Sequence, residues 1–388
     1  MDQKSLFSLI LAAVVAIALS ACTPSQISAR ERLFLDVSLE FVGEAQLPKM
    51  EYKGTRVGGL SGITYDRDRN IFYALSDDRD NARFYTLNLT LSSEESPRIE
   101  VKNVTFLKDE RGNSYAQGAI DPEGIALTPR GTLLISSEGV PSRKIDPFVA
   151  EFDRQTGQYL TEIPLPARFL PNQPIRKEDI PHGVQENLGF EALAIGISGL
   201  IPEDPYRVFT APEFALVQDN IDHNIDHNIE PNPEVSPRIR LLHYVINPIG
   251  SPLLISENLY LLDPTSEGVI ANGLTEILAL DREGFLLSLE RTFDGIEAGA
   301  KLFQIATGGA TDTSRIATLK GDLSTVTPLR KQLLLDLQDL GIVLDNLEGM
   351  TFAGRLPDGS PSLILVSDDN FNERQVTQFL VFRFQEKP

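Results

Sequence analysis

The sequence predicts an all-β fold built from a repeated sheet, on three observations. The 28 glycines and 25 prolines among 388 residues punctuate the chain often enough to favour many short strands over a few long helices. One hairpin pattern recurs five times, and each copy ends in acidic residues at the corresponding point. Hydrophobic residues at 41% and charged residues at 23% are those of an ordinary folded domain, with Phe and Tyr supplying the aromatic core because Trp is absent. The 35 Lys and Arg face 55 Asp and Glu, a net charge of −20, which excludes a nucleic-acid backbone as partner.

The N-terminus comes first. Lys4 precedes the apolar run SLFSLILAAVVAIAL, too short for a comfortable bilayer span and placed like the core of an export signal. Leu19-Ser20-Ala21-Cys22 directly follows and resembles a bacterial lipobox, in which the cysteine becomes the lipid-modified N-terminal residue. The expectation is a leader over 1–21, lipidation at Cys22, a polar tether over 22–32, and a protein exported and lipid-anchored at the cell envelope. Thr23 after the cysteine points to the outer membrane. Cys22 is the single cysteine, so an intrachain disulfide, a cysteine nucleophile elsewhere and a thiolate zinc site are all excluded.

The five copies follow in order. They are GLSGITYDRDRNIFYALSDD from Gly59, DPEGIALTPRGTLLISSEG from Asp121, GFEALAIGISGLIPEDPYRVFTAPE from Gly189, GLTEILALDREGFLLSLER from Gly273 and NLEGMTFAGRLPDGSPSLILVSDDN from Asn346. Each reads as a strand, a turn rich in Gly, Asp or Pro, and a second strand. Between copies, PFVAEFDRQTGQYLTEIPLP at 147–166 reads as another hairpin, and RIRLLHYVI at 238–246 and ENLYLL at 257–262 as strands. Aligned on Leu60, Pro122, Phe190, Leu274 and Leu347, the copies leave room for four strands each. Equivalent strands around a channel make a β-propeller. Six blades are expected, five from the copies and a sixth from LFLDVSLEFVG near the N-terminus paired with TQFLVFRFQ near the C-terminus, which would close the ring and remove its edges. The propeller domain is placed at 33–388, and a β-sandwich or two smaller β-domains remain open. Residues 220–234 repeat Asp-His-Asn-Ile in tandem and read as a low-complexity loop insertion, although a helical reading would put His223 and His227 on one face.

The register of the copies defines two acidic levels. Ser61, Glu123, Glu191, Thr275 and Glu348 share the first, with Glu276 one residue further on. The second strands end at Asp77 and Asp78, Glu138, Glu213, Glu290 and Arg291, and Asp368, Asp369 and Asn370. In a propeller these converge on the channel mouth, where so many carboxylates raise one another's pKa unless a cation neutralises them. Hard oxygen donors suit Ca²⁺, and the expected ligands are Glu123, Glu213, Glu290, Asp368, Asp369 and Asn370. The other reading is that these acids cap turns or pair with Arg291 and Arg315.

The copies GFEALA at 189–194, ANGLTEILALD at 271–281, LDNLEGMTF at 344–352 and PSLILVSDDNFN at 361–372 resemble the phytase-like domain family, also called esterase-like activity of phytase. The resemblance implies a propeller-like fold and hydrolysis of phosphate or other esters; Glu191, Glu276, Glu290, Glu348, Asp368, Asp369 and Asn370 sit in the matching motifs. A motif like Asp-Asp-Pro-Ala-Ile-Trp of the alkaline β-propeller phytases is absent, which argues against phytate. The expected chemistry is Ca²⁺-assisted hydrolysis of a small-molecule ester by a monomer. Glu191, Glu276 or Glu348 would take a proton from water, and Arg291 or Arg238 would meet the developing negative charge. Two alternatives stay open: a calcium-dependent lactonase, and a tethered propeller that only binds a partner. A serine elbow is missing, since Ser61 in GLSGI and Ser198 in GISGL each fall a residue short of Gly-X-Ser-X-Gly. No Walker loop or dinucleotide fingerprint occurs.

Overall fold

The computed structural model describes residues 33–387 apart from 92–96, 173–180, 198, 200, 222–235 and 265–267. The expected leader, Cys22 and tether, nearly all of the 220–234 insertion with His223 and His227, and Ser198 lie outside the described residues. Val37–Glu386 is one compact unit that holds every described strand, and the unit made of residues 1–36 and 387–388 has no strand or helix among its described residues.

Strand β1 (Val37–Leu47) is followed by a small hairpin of β2 (Met50–Tyr52) and β3 (Thr55–Val57). Blade one is β4 (Leu60–Asp66), β5 (Ile71–Ser76), β6 (Arg83–Thr90) and β7 (Arg98–Phe106). Blade two is β8 (Pro122–Leu127), β9 (Leu133–Ser137), β10 (Phe148–Phe152) and β11 (Tyr159–Ile163). Blade three is β12 (Phe190–Ile197), β13 (Tyr206–Pro212), β14 (Arg238–Ile246) and β15 (Leu253–Leu261). Blade four is β16 (Ala271–Ala279), β17 (Phe285–Phe293), β18 (Ala298–Ala306) and β19 (Arg330–Asp336). Blade five is β20 (Asn346–Arg355), β21 (Pro361–Asp368), β22 (Thr377–Glu386) and the N-terminal β1. The first strand of each copy is innermost: β4 lies beside β8, β8 beside β12, β12 beside β16, β16 beside β20, and β20 back beside β4.

The protein is therefore a propeller of five blades, and the expectation of six is corrected. The reason lies in what a copy contains. Each hairpin supplies only the two inner strands of its sheet, and the fifth copy is completed by the chain ends, β22 against β21 and β1 against β22. The terminal segments are thus the outer half of an existing blade. Residues 238–246 and the 147–166 hairpin form strands as expected; in the latter the Asp153 carboxylate accepts from the backbone N–H of Gln155 and Thr156 and shapes the turn.

Alternation along the middle strands builds the core. Phe72 and Ala74 of β5 pack with Ile364, Val366 and Phe379 of blade five, while Tyr73 and Leu75 pack with Ile125, Leu133 and Ile135 of blade two. Likewise Tyr206 and Val208 of β13 face blade two, and Phe209 and Ala211 face blade four. Successive side chains point to opposite faces of a strand, and both faces are covered here, so the middle strands read as near-continuous apolar runs. The outermost β1 instead alternates polar and apolar residues.

The closing pair is testable. Phe382 on β22 is fully buried, with its ring 5.5 Å from that of Phe41 on β1. Phe382→Ala is expected to cost about 3–5 kcal/mol, read as a lower urea midpoint; an unchanged midpoint would show that the β1–β22 seam does not hold the ring.

Candidate functional site: an acidic funnel at the propeller mouth

Every innermost strand carries a β-bulge near its start. The register of inner and second strands slips between Leu60 and Gly62, Pro122 and Ile125, Phe190 and Ala192, Leu274 and Glu276, and Leu347 and Gly349. The extra residues include Ser61, Glu123, Glu191, Thr275 and Glu348, the first level aligned from sequence. A bulge leaves one residue unpaired and re-aims its side chain. Glu123, Glu191 and Glu348 use this to line the cavity. The two hydroxyls turn to backbone instead, Ser61 donating to the carbonyl of Glu123 at 2.9 Å and Thr275 to that of Leu289 at 3.4 Å.

Next to the bulge the inner strands come closest. A Cβ on Gly124 would stand 2.3 Å from the carbonyl oxygen of Glu191, and one on Gly62 2.8 Å from that of Glu123. Blade four has Glu276 at this position. Its carboxylate is buried and accepts the backbone N–H of Leu193 at 3.0 Å, Ile277 at 2.9 Å and also Met350, pinning blades three, four and five together. Glu276 does not line the cavity, so the structure moves it from the catalytic set to the scaffold.

Strand pairing also resolves the second level. Leu60 pairs with Ser76, Pro122 with Ser137, Phe190 with Pro212, Leu274 with Glu290 and Leu347 with Ser367. The residues that follow are Asp77, Glu138, Glu213, Arg291 and Asp368, four acids and one base. Glu290 therefore belongs one step lower, where its carboxylate takes the Tyr260 hydroxyl, Lys331 and the backbone N–H of Asp263. Asp369 lies one step higher and is spent on Lys49 and on the backbone N–H of Gly59 at 2.8 Å and Phe371 at 3.1 Å. Arg238 is also elsewhere, donating to the carbonyls of Leu319 and Gly321. Of the expected metal ligands, Glu123, Asp368 and Asn370 line the cavity and Glu213 abuts it, while Glu290 and Asp369 do not reach it.

The funnel encloses about 500 Å³, walled by Asp77, Asp78, Arg79, Asp80, Glu123, Glu138, Asn187, Glu191, Arg291, Glu348, Asp368, Asn370 and Phe371. Arg291 reaches across blades, donating to Glu213 at 2.8 Å, Glu348 at 2.6 Å and Asn346 at 2.5 Å. Arg79 binds Asp121 at 2.5 Å and the side-chain oxygen of Asn187 at 2.6 Å. Arg79 and Asp121 escaped the sequence reading, although the Asp121-Pro122 pair abuts Glu123 and Arg79 directly follows the Asp77-Asp78 pair.

Two bases do not neutralise the funnel. Burial, then the charges of Glu348, Asp121 and Asp78, pushes Asp77 up to about 8. Burial and Glu213 raise Glu348 to about 7 against the opposing pull of Arg291. Burial first and neighbouring carboxylates second lift Glu123, Glu138, Glu191 and Asp368 well above the usual carboxylate range. Glu213, Glu348 and Glu191 hold Arg291 well above its ordinary value despite its burial.

The donor set fits a hard divalent cation. Oxygens of Asp121, Glu123 and Glu138 lie within 4.8 Å of one another, as do those of Glu138, Glu191 and Glu213, so Glu138 is common to both clusters. One carboxylate oxygen of Asp77 is buried without a hydrogen-bond partner. An unpaired buried oxygen among all-oxygen donors is what Ca²⁺ or a similar ion would satisfy.

Fold and site together define a five-bladed β-propeller with an acidic, cation-ready funnel at its mouth. The family described as phytase-like, esterase-like activity of phytase, matches residues 55–371, and the chain belongs to that family. A comparison with curated proteins returned no match. Similar solved structures include the endo-arabinase of Bacteroides thetaiotaomicron, at 12% identity over 90% of this chain and 98% of that one, TM-score 0.41. The catalytic domain of the Coprinopsis cinerea GH62 α-L-arabinofuranosidase is similar at 8% identity over 88% and 97%, TM-score 0.42. At such scores these likenesses carry no argument about function.

Raised carboxyl pKa values make a prediction with a definite sign. The folded funnel holds protons that the unfolded chain releases near pH 4, so the stability these carboxyls contribute is fully present below that value and is lost as pH rises through the folded value, about 8 for Asp77. The unfolding temperature of chelated protein is expected to fall across this window, and added Ca²⁺ is expected to restore it at the alkaline end. A flat or rising profile in chelator would contradict the charge crowding.

Proposed function

We propose that this protein is an exported hydrolase of phosphate or other esters, tethered to the cell envelope by a lipid on Cys22, that works with Ca²⁺ bound in the funnel. The observation that carries the reading is the pair of carboxylate clusters sharing Glu138 on the wall of an open cavity, in a chain of the phytase-like family. Asp77, Asp121, Glu123, Glu138, Glu191 and Glu213 would hold the ion, with Asn187 and Asn370 as neutral oxygen donors. Bound there, Ca²⁺ supplies positive charge that admits an anionic ester and polarises its oxygen. Glu348 serves as the base: with its pKa near 7 it can accept a proton from water at neutral pH, and Arg291 and Asn346 hold its carboxylate in place. Arg291 meets negative charge developing on the ester oxygens.

The acid surplus of the funnel favours a second reading, a Ca²⁺-dependent lactonase or neutral esterase, because an uncharged substrate needs no compensation for a wall of carboxylates. Nitrophenyl phosphate and a nitrophenyl carboxylic ester, assayed side by side as Ca²⁺ is titrated into chelated protein, separate the two. Release from the phosphate supports the first reading, and release from the ester alone supports the second. Silence with both at every Ca²⁺ level would leave a tethered binding propeller.

Glu138→Gln weakens both clusters at once and is expected to lower Ca²⁺ affinity at least about tenfold, about 1.4 kcal/mol, by calorimetry. Glu348→Gln is expected to lower kcat by about 10²–10⁴ while leaving Ca²⁺ affinity within a few fold. Equal effects of the two substitutions on Ca²⁺ binding would refute this division of labour.

A further inference from the structure

One residue of the funnel has no place in cation binding or proton transfer. Among the described residues that line the cavity, Phe371 is the single hydrocarbon side chain in a wall of carboxylates, amides and guanidinium groups. Its position is costly. Asn370 and Phe371 both have positive φ, 47° and 49°, and a bulky residue held there is strained.

The surroundings secure the ring. Guanidinium carbons of Arg83 and Arg56 lie 5.7 and 5.8 Å from its centroid, within cation–π range. Arg83 is itself immobilised, fully buried and donating to the Tyr85 hydroxyl at 2.7 Å and to the carbonyls of Asn81 and Arg56 at 2.8 Å. Gly59 leaves the space the ring occupies, since a Cβ there would stand 2.4 Å from a ring carbon. The β2–β3 hairpin, outside every blade, brings Arg56 to this spot.

A ring needed only for packing would turn into one of the apolar layers between blades. This one is held, against backbone strain, at the wall of a polar cavity, where its hydrocarbon face gains nothing from water. We infer that Phe371 is a stacking platform that selects esters whose non-reacting body presents a flat, carbon-rich face, either an aryl group or the C–H face of a sugar ring. The inference rests on the ester-hydrolase reading and adds the substrate class to it.

The test is calorimetric binding of phenylphosphonate, a hexose phosphonate and methylphosphonate, none of which is an ester, to the full Ca²⁺-loaded chain. The expected result is that at least one of the two ring compounds binds about tenfold tighter than methylphosphonate, a gain of about 1.4 kcal/mol; the tighter ring names the source. Phe371→Leu keeps apolar bulk without a ring and is expected to erase the preference, whereas Phe371→Tyr keeps it. Unfolding temperatures measured in parallel separate a lost platform from a lost fold, and Phe371→Met carries the same comparison if the leucine variant does not fold. A ring preference that survives in Phe371→Leu, or no preference in the unsubstituted protein, overturns the inference while the hydrolase reading stands. If none of the three compounds binds, the phosphate-ester reading fails and takes the inference with it.

Discussion

The pairing of β1 with β22 is the constraint on which the rest of the structure depends. It joins the two ends of the described propeller through a ten-pair antiparallel ladder that runs from Val37 against Glu386 to Leu47 against Thr377, with one bulge. That ladder completes the fifth sheet and so brings β20 beside β4, closing the circle of inner strands. Five inner strands around one axis leave a narrow centre, and the same bulge near the start of each turns its extra residue toward that centre or onto the neighbouring backbone. Closure thereby determines how near the acids of different blades stand to one another.

The funnel is the electrostatic result of that geometry. Glu123, Glu191 and Glu348 come from three blades and Asp77, Glu138, Glu213 and Asp368 from the next level; Glu123 and Asp77 are half-buried and the other five are buried. Arg291 occupies the blade-four place in the second level and is the only base there, so it serves acids of two other blades. Burial and like charge act in the same direction on the remaining carboxyls, which favours a bound cation or bound protons over bare charge. Glu276 shows the opposite use of a buried acid: it accepts three backbone N–H groups and pins inner strands together.

Much of this was legible along the chain. The five hairpins are visible because turn residues and apolar alternation are local properties, and the alignment on Leu60, Pro122, Phe190, Leu274 and Leu347 found the bulge level residue for residue. The second level was legible to within one position. Glu290 and Asp369 look equivalent to Glu138 in the sequence, yet a one-residue step along a strand turns a side chain to the other face, and pairing of Leu274 with Glu290 and of Asn346 with Asp368 shows which residue sits where. Arg79 lies just outside the first copy and Asp121 opens the second where the other copies carry no acid at the matching place, so no periodicity marks them. Phe371 sits inside SDDNFN, where nothing local distinguishes a strained wall residue from an ordinary loop aromatic.

The sequence by itself determined the all-β class, the repeat, the acidity of the repeated strand ends and the absence of any thiol chemistry within the domain, because each follows from residue type and spacing. Only the tertiary structure decided that there are five blades, since whether two terminal strands make a new sheet or finish an old one depends on which edge they pair with. It alone also separated Glu348, Glu191 and Arg291 in the funnel from Glu276 and Glu290 in the scaffold. Those roles depend on distances between residues of different blades, and such distances exist only once the ring has closed.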